Sequence, residues 1–318
     1  MWNVLYTEPV PGDVEEVVRQ QLPPDFTLVV VRSRDRDELI ERVATADFLL
    51  TATARIDEAV LAAAPRLRLI QHQGVGYDNV DVEAARRRGV PVGTTPEGTT
   101  VGVAEHTILL MLAVYKQLPR AHNALKEGRW LQWELRTTSF ELAGKQLGLV
   151  GFGRIGREVA RRARAFDMRV AYYDPYRAPE DVEHDLGVRY LPLPELLGSS
   201  DIVSVHVPYS AATHHLIGRE QLAQMKPSAV LINTSRGGLV DELALVEALR
   251  ERRIWAAGLD VFSREPIDPD NPLLGLDHVV LTPHVAAGTR DALVQKMRAA
   301  FANMVRVVRG EEPRNRVV

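Results

Sequence analysis

The chain has 318 residues, 46% of them hydrophobic and 25% charged, and its formal net charge is −3 at pH 7. A chain of this length predicts two domains of roughly 150 residues each, and the nearly balanced charge argues against a general nucleic-acid-binding surface. The chain has no cysteine, which excludes disulfides, thiolate metal sites and cysteine nucleophiles.

The amino-terminal part alternates short β-branched runs with helical patterns, which is typical of βαβ units and of a parallel sheet. The predicted strands cover residues 3–6, 27–31, 48–52, 67–71 and 90–92, and the predicted helices include residues 38–46 and 56–64. The first residues contain neither the basic region nor the long apolar run of a signal peptide, so we expect a cytoplasmic protein.

A long apolar helix is predicted next, over residues 99–118, after a cluster of turn residues at 94–98. Glu105 and His106 interrupt its apolar run, which is shorter than the ~20 residues that a membrane span requires, and the pattern therefore indicates a buried helix. An irregular segment with Trp130 and Trp133 follows. The helix and this segment offer more apolar surface than one small domain covers, so we expect a homodimer.

The rest of the chain contains a second series of strands, which are more continuously apolar, as strands buried on both faces are. They are predicted at residues 147–150, 169–173, 202–207, 230–233, 256–260 and 279–281. A final helix is predicted over residues 289–309, and because no strand follows it we expect it to return to the first domain. The predicted fold class is therefore α/β, with two parallel-sheet domains of Rossmann-like or flavodoxin-like type.

The stretch GFGRIG places Gly151, Gly153 and Gly156 between a predicted strand and a helix predicted over residues 154–166. Alone, these glycines would indicate only a tight packing turn, but the order of strand, turn and helix is what a dinucleotide site requires. Gly151 permits the turn, Gly153 lets the backbone approach a pyrophosphate, and Gly156 allows close packing of the helix. The first N–H groups of that helix bind the anion.

Asp174 ends the next predicted strand and follows Gly156 by 18 residues, near the spacing of about 20 at which an acidic residue meets the adenosine ribose. Its carboxylate would accept hydrogen bonds from the ribose hydroxyls and repel a 2′-phosphate. The sequence therefore favours NAD(H) over NADP(H). Arg177 is either a partner for such a phosphate or a solvated loop charge, and we favour the second interpretation.

Three polar side chains follow the later strands of the second series: Arg236, Glu265 and His284. Each has an ordinary alternative as a loop charge or a strand-end histidine. The carboxyl ends of parallel strands share one edge, however, and ligands of such sheets bind there. A guanidinium that holds a carboxylate, an imidazolium that protonates a carbonyl oxygen, and a carboxylate that orients the imidazole together predict keto-acid reduction.

Several motifs resemble those of the D-isomer-specific 2-hydroxyacid dehydrogenase family. They are GVGYDNVD at 74–81, GFGRIG, VHVP at 205–208, INTSRGGLVDE at 232–242, GLDVFSREP at 258–266 and LTPHVAAGT at 281–289. The resemblance implies a discontinuous substrate domain, residues 1–98 and 289–318, with an NAD-binding Rossmann domain, residues 99–288, inserted in it. We expect the homodimer inferred above from the apolar surface to form through this inserted domain.

The resemblance gives Arg236, Glu265 and His284 the roles inferred above and places the backbone of Val75 and Gly76 at the substrate carboxylate. It also implies cofactor contacts at Arg154, Ile155, Pro208, Thr213, Thr234 and Asp260, the last toward the nicotinamide. The implied reaction interconverts a small 2-oxo acid and its D-2-hydroxy acid, with NAD(H) as hydride carrier and His284 as acid and base. It requires no metal.

Departures from individual family members narrow the expected substrate. Glu265 stands where formate dehydrogenases carry glutamine, and Val75 stands where phosphite dehydrogenases carry lysine. Residues 50–52 replace a phosphate-binding VRS stretch of 3-phosphoglycerate dehydrogenases, although Arg55 still offers a cation for a phosphate. The sequence is most similar to glyoxylate and hydroxypyruvate reductases, with phosphoglycerate or phosphite oxidation as alternatives inside the family.

The side-chain pocket is indicated only by neighbours of the carboxylate loop. Gln71, His72 and Gln73 precede that loop and are candidates for polar contacts, and Trp130 or Trp133 is a candidate either for the partner's active site or for interface packing. An alternative of another class is a corepressor that binds NAD(H) as a sensor, because the same fold serves that function.

Overall fold

Alternating strands and helices build two units in the computed structural model, which describes residues 1–318. Unit 1 contains Met1–Thr99 and Gly288–Val318, and unit 2 contains Thr100–Ala287. At the two ends of unit 2, a Cβ on Gly102 would lie 3.1 Å from the carbonyl oxygen of Ala286. The chain therefore enters and leaves unit 2 at neighbouring points.

Unit 1 is built on a five-stranded parallel sheet of order β2-β1-β3-β4-β5. Its strands are β1 (Trp2–Tyr6), β2 (Phe26–Val30), β3 (Phe48–Thr51), β4 (Leu69–His72) and β5 (Val92–Gly93). Parallel neighbours require crossover connections, and these contain α1 (Gly12–Arg19), α2 (Arg36–Val43), α3 (Glu58–Ala62) and α4 (Val82–Arg87). The order is that of flavodoxin-like sheets.

The last helix of the chain, α12 (Arg290–Val308), also belongs to unit 1. Thr289 caps it, because its hydroxyl accepts the N–H of Ala292 at 3.1 Å. The buried face of α12 packs with the strands in one core, which includes Phe48, Leu50, Leu69, Met297, Ala300, Phe301 and Met304. One face of the unit 1 sheet is thus covered by residues from the end of the chain.

Unit 2 is built on a seven-stranded parallel sheet of order β12-β11-β10-β9-β6-β7-β8. Its strands are β6 (Gln146–Val150), β7 (Arg169–Tyr173), β8 (Val188–Tyr190), β9 (Ile202–Val205), β10 (Val230–Asn233), β11 (Ala256–Leu259) and β12 (Val279–Leu281). The strand order reverses beside β6, as in Rossmann sheets, and ligands bind such sheets beyond the carboxyl ends at this point.

Helices cover both faces of the unit 2 sheet, and two apolar cores result. They are α5 (Thr100–Tyr115), α6 (Leu118–Lys126), α7 (Arg154–Arg164), α8 (Glu180–Leu186), α9 (Leu193–Ser199), α10 (Arg219–Gln224) and α11 (Glu242–Arg250). Strands covered on both sides are apolar throughout, which explains why most strands of unit 2 could be predicted from the sequence. None of the helices combines the length and apolar character needed to cross a membrane.

The two-sheet α/β fold is confirmed, although the bounds of several elements differ by a few residues and two further differences have a clear cause. The predicted helix over residues 99–118 is two helices, because Gln117 adopts a left-handed conformation (φ 48°) and ends the first, and Pro119 lies in the first turn of the second. The strand β8 was not predicted, since its three residues are too few to show a hydrophobic period.

Candidate active site

The predicted site residues of unit 2 lie at one edge of its sheet. The glycine loop follows β6, Asp174 follows β7, and Pro208 and Thr213 follow β9. Thr234 and Arg236 follow β10, Asp260 and Glu265 follow β11, and His284 follows β12. All the strands run parallel, so every one of these loops is at the carboxyl edge.

Glycine is required at two positions of the loop between β6 and α7. Gly151 has a φ of +101°, and a Cβ there would lie 2.7 Å from the backbone carbonyl of His206. A Cβ on Gly156 would lie 2.4 Å from the carbonyl oxygen of Gly151. The backbone is therefore folded tightly under the start of α7, whose N-cap, Gly153, supplies no side-chain acceptor. Its first N–H groups fit the pyrophosphate of a dinucleotide.

Arg154 and Ile155 form the start of α7. Arg154 is exposed and Ile155 is half-buried, packed against the core below the loop. Farther along the edge, the hydroxyl of Thr213 donates to the carbonyl oxygen of Pro208 at 2.8 Å and accepts the N–H of Ser210 at 2.8 Å. These bonds close the loop after β9 on itself.

Asp174 connects the glycine loop to the loop after β7. Its Oδ2 accepts the N–H of Phe152 at 2.9 Å, and its Oδ1 accepts the N–H of Tyr176 at 2.9 Å. Arg177 is held by Glu183 through two bonds of 2.9 Å. The Arg177 guanidinium, with the Tyr172 hydroxyl, lowers the pKa of Glu183 to about 2. The arginine is thus engaged in an ion pair of its own loop region.

Glu265 and His284 form a hydrogen-bonded pair, with Nδ1 of the ring 2.7 Å from Oε2 of the carboxylate. An ionised carboxylate only accepts, so Nδ1–H donates and Nε2 is the ring atom that can exchange a proton. Burial raises the pKa of Glu265, but the hydrogen bond and charge of His284, the N–H of Phe262 and the charge of Arg236 outweigh it. The pKa is therefore below its usual value.

Arg236 lies at the same cluster, close enough for its charge to act on Glu265. Its Nη1 donates to the carbonyl oxygen of Ser235 at 2.9 Å, and its own carbonyl oxygen accepts from Nδ2 of Asn233 at 2.9 Å. The next residue, Gly237, touches the backbone after β11, because a Cβ there would lie 2.0 Å from the carbonyl group of Phe262. The structure thus brings Arg236, Glu265 and His284 together.

Asp260 supports the loop that carries His284. Its carboxylate is fully buried and accepts the N–H groups of Val285 and Ala286, at 2.9 and 2.8 Å. The N–H of His284 donates to its carbonyl oxygen at 2.8 Å. These bonds hold His284 in the left-handed region (φ 54°), which is unfavourable for most residues other than glycine. The predicted contact of Asp260 with a nicotinamide remains a prediction.

Sequence reasoning missed two residues of α5 that reach this edge. Thr282 donates its hydroxyl proton to Asp260 at 2.6 Å, so Nε2–H of His106 must donate to the Thr282 oxygen at 2.9 Å. Thr107 lies 3.0 Å from the hydroxyl of Thr234. The available signal was the run of polar residues Glu105, His106 and Thr107 on a largely apolar helix.

The remaining predicted residues belong to unit 1. Val75 and Gly76 lie in the loop after β4, and Val75 is partly exposed. His72 shapes the loop, because its Nδ1 accepts the N–H of Gly74 at 3.0 Å. Gln71, His72 and Gln73 are all buried.

Comparisons with known proteins show which family this chain is similar to. Residues 108–286 match the family model described as D-isomer specific 2-hydroxyacid dehydrogenase, NAD binding domain. The chain is 42% identical over 301 residues to the glyoxylate reductase of Korarchaeum cryptofilum, which covers 94% of this chain and 88% of that protein.

A second relative is longer than this chain. The D-3-phosphoglycerate dehydrogenase of Archaeoglobus fulgidus is 40% identical over 99% of this chain, but the chain spans only 59% of that protein. Among solved structures, D-lactate dehydrogenase from Aquifex aeolicus, complexed with NAD and lactic acid, is similar at a TM-score of 0.86 and 31% identity. That similarity covers 97% of this chain and 96% of the other.

Proposed function

The chain belongs to the D-isomer-specific 2-hydroxyacid dehydrogenase family, and from this premise we propose that it reduces a small 2-oxo acid to its D-2-hydroxy acid with Arg236, Glu265 and His284 as catalytic residues. It is an NAD-dependent oxidoreductase. The observation that carries the catalytic proposal is the 2.7 Å hydrogen bond between Glu265 and His284. A carboxylate bonded to Nδ1 leaves Nε2 as the ring atom available for proton exchange.

In the proposed reaction His284 moves the proton. In reduction, protonated His284 donates from Nε2 to the carbonyl oxygen of the substrate, while Glu265 stabilises the charged ring through Nδ1. In oxidation, Nε2 of the neutral ring accepts the hydroxyl proton. NAD(H) supplies or accepts the hydride when it is bound. Reprotonation of the ring from solvent completes the cycle of reduction.

Charged side chains and backbone N–H groups are proposed to bind the substrate and the cofactor. We propose that the planar guanidinium of Arg236 holds the substrate carboxylate at two points and that the backbone of Val75 and Gly76 contributes further donors. For NAD(H), the proposed contacts are Gly151, Gly153, Arg154, Ile155, Gly156, Asp174, Pro208, Thr213, Thr234 and Asp260. The glycine geometry and the engaged state of Arg177 support them.

The pH dependence of Glu265→Gln tests the pair. The charge of Glu265 favours protonated His284, and the same coupling lowers the pKa of Glu265. Glutamine keeps the size and removes the charge, so the protonated ring is less favoured in the variant. The high-pH limb of kcat/KM for reduction should move toward acid, and the low-pH limb for oxidation should move in the same direction.

Both profiles are to be recorded at one ionic strength, with Glu195→Gln as the matched control at an exposed carboxylate of unit 2. Control profiles should coincide with those of the wild type. If the limbs of Glu265→Gln coincide with those of the wild type for both reduction and oxidation, the proposed roles of Glu265 and His284 are contradicted.

Cofactor preference is expected to depend on Asp174. The wild type should prefer NADH, because the Asp174 carboxylate repels a 2′-phosphate and Arg177 is engaged by Glu183. Asp174→Ser should narrow the ratio of kcat/KM for NADH over NADPH by about tenfold. Asp185→Ser, at a largely exposed aspartate of α8, is the control. A wild type that prefers NADPH would show this assignment to be wrong.

For the substrate, we propose glyoxylate or hydroxypyruvate, in a cytoplasmic enzyme. Glyoxylate reductases and a phosphoglycerate dehydrogenase are both relatives at about 40% identity. A spectrophotometric panel of glyoxylate, hydroxypyruvate, pyruvate and longer 2-oxo acids decides among these substrates. Tight NADH binding without turnover of any of them would instead favour the sensor alternative.

We also propose that unit 2 forms a homodimer. Large apolar side chains are exposed along α5, α6 and the segment after them: Leu109 49%, Leu118 52%, Leu125 59%, Trp130 69% and Trp133 68%. A monomer seldom exposes such a group of neighbours without a partner. Burial of these apolar side chains would therefore drive the association of two copies of the chain.

Light scattering at micromolar concentration should give about twice the chain mass of 35.4 kDa. The double variant Leu109→Arg, Leu125→Arg should be monomeric, because it places charge in the apolar surface. Leu243→Arg, at a leucine 75% exposed elsewhere in unit 2, is the control and should remain dimeric. A monomeric wild type would reject the dimer.

A further inference from the structure

One carboxylate oxygen of Glu8 accepts hydrogen bonds from three consecutive backbone N–H groups just after the carboxyl end of β3. Oε1 accepts the N–H of Ala52 at 2.8 Å, of Thr53 at 2.7 Å and of Ala54 at 2.9 Å. Successive N–H groups that converge in this way form a nest suited to an anion. In this protein the nest holds a carboxylate of the chain itself, so its donors are already used.

The other oxygen of Glu8 and the amide nitrogen of Gln73 have no hydrogen-bond partner. Glu8 Oε2 and Gln73 Nε2 are both buried, in side chains only 9% and 8% exposed. Buried polar groups are nearly always paired, and an unpaired one is unfavourable. One of these atoms accepts hydrogen bonds and the other donates them.

The two side chains flank Thr51. The N–H of Gln73 donates to the Thr51 carbonyl oxygen at 2.8 Å, and the Thr51 hydroxyl lies 3.4 Å from Oε1 of Glu8. Tyr6 fixes the amide, because its hydroxyl donates to Gln73 Oε1 at 3.1 Å. Burial chiefly, and the Glu8 charge in addition, raise the pKa of Tyr6 to about 12, so the hydroxyl keeps its proton.

Gln73 directly precedes the loop whose Val75 and Gly76 are proposed to hold the substrate carboxylate. A 2-oxo acid bound there has its third carbon only two bonds from the carboxylate carbon. A substituent on that carbon is short enough to extend from the loop toward Gln73, which contacts Thr51 as Glu8 does.

Resting on the proposed function, we infer that Glu8 and Gln73 determine specificity at the third carbon of the 2-oxo acid and select a hydroxyl group there. A hydroxyl donates to Glu8 Oε2 and accepts from Gln73 Nε2, so it satisfies both atoms. A methyl group satisfies neither. A phosphate is repelled by Glu8, and Arg55 offers no compensation, because its side chain is 81% exposed and pairs with Asp57 at 3.7 Å.

Four substrates test this inference: glyoxylate, which has no third carbon, pyruvate, hydroxypyruvate and 3-phosphohydroxypyruvate. For the wild type, kcat/KM should be at least about tenfold higher with hydroxypyruvate than with pyruvate, and 3-phosphohydroxypyruvate should be the poorest substrate. Gln73→Leu removes the donor, and Glu8→Gln replaces the free acceptor by a donor while its other oxygen can still bind the nest. Each change should lower the hydroxypyruvate to pyruvate ratio about tenfold.

The glyoxylate rate separates specificity from structure. If the two residues only stabilise the fold, kcat/KM should fall equally for glyoxylate and hydroxypyruvate, and that result would overturn the inference. Gln146→Leu is the matched control, because Gln146 is a buried glutamine of unit 2 whose Nε2 donates to the hydroxyl of Ser199 at 2.7 Å, and the substrate ratio should not change. Wild-type turnover of glyoxylate without a preference for the hydroxyl overturns the inference alone, whereas no turnover of any substrate overturns the proposed function as well.

Discussion

Replacing His284 by glutamine is expected to lower kcat for reduction and for oxidation by about a thousandfold. The glutamine amide can still donate to Oε2 of Glu265, which lies 2.7 Å from Nδ1 in the wild type, so the local structure has a hydrogen bond to retain. It cannot carry a proton at the position of Nε2. The loss should therefore appear in kcat in both directions, while NADH affinity, measured by fluorescence titration, changes little.

His184→Gln is the matched control, because His184 is 91% exposed on α8 and far in sequence from the catalytic loops. Its kcat should equal that of the wild type. A His284→Gln enzyme that retains more than about a tenth of wild-type kcat would remove His284 from the role of acid and base.

The second large effect is expected for Arg236→Lys. Lysine keeps the positive charge but loses the planar pair of donors that matches a carboxylate at two points. Lysine also keeps a positive charge near Glu265, and the charge of Arg236 is one of the causes that lower the pKa of Glu265. The limbs of the pH profiles should therefore shift less in Arg236→Lys than in Glu265→Gln. We expect kcat/KM for the 2-oxo acid to fall about a hundredfold, chiefly through weaker binding.

Steady-state kinetics and NADH titration of the same preparation check this prediction. Arg264→Lys is the control, at an arginine 78% exposed that pairs with Asp268 at 3.1 Å. Substrate kinetics of the control should be those of the wild type. A near-normal kcat/KM for Arg236→Lys would refute two-point binding of the carboxylate by this residue.

Much of the fold was predictable because its strands are buried on both faces. The run at residues 147–150 is apolar at consecutive positions in β6, and this pattern is independent of the rest of the chain. The clustering of Arg236, Glu265 and His284 was also predictable, because parallel strands end at a common edge. The break between α5 and α6 was not, since glutamine at position 117 has no intrinsic preference for a left-handed conformation.

The supporting contacts of the site could not be predicted, because they join distant parts of the chain. His106 and Thr282 are separated by 176 positions, and Glu8 reaches N–H groups 44 to 46 positions away. The residues that flank each of these positions in the sequence give no sign of the distant partner. Their partners are decided by which strands become neighbours, and hydrophobic periodicity carries no information on such pairs.

The adjacency of Gly102 and Ala286 has a consequence for the order in which the protein acquires its structure. During synthesis the strands of unit 1 leave the ribosome first, but Met297, Phe301 and Met304, which complete one of its cores, come near the end. Unit 2 is continuous in sequence, so it can fold while that core is still incomplete. Once folded, it joins the two parts of unit 1 at neighbouring points. Bringing together the two parts of unit 1 then costs about as much entropy as closing a short loop, so the folding of unit 2 favours the completion of unit 1.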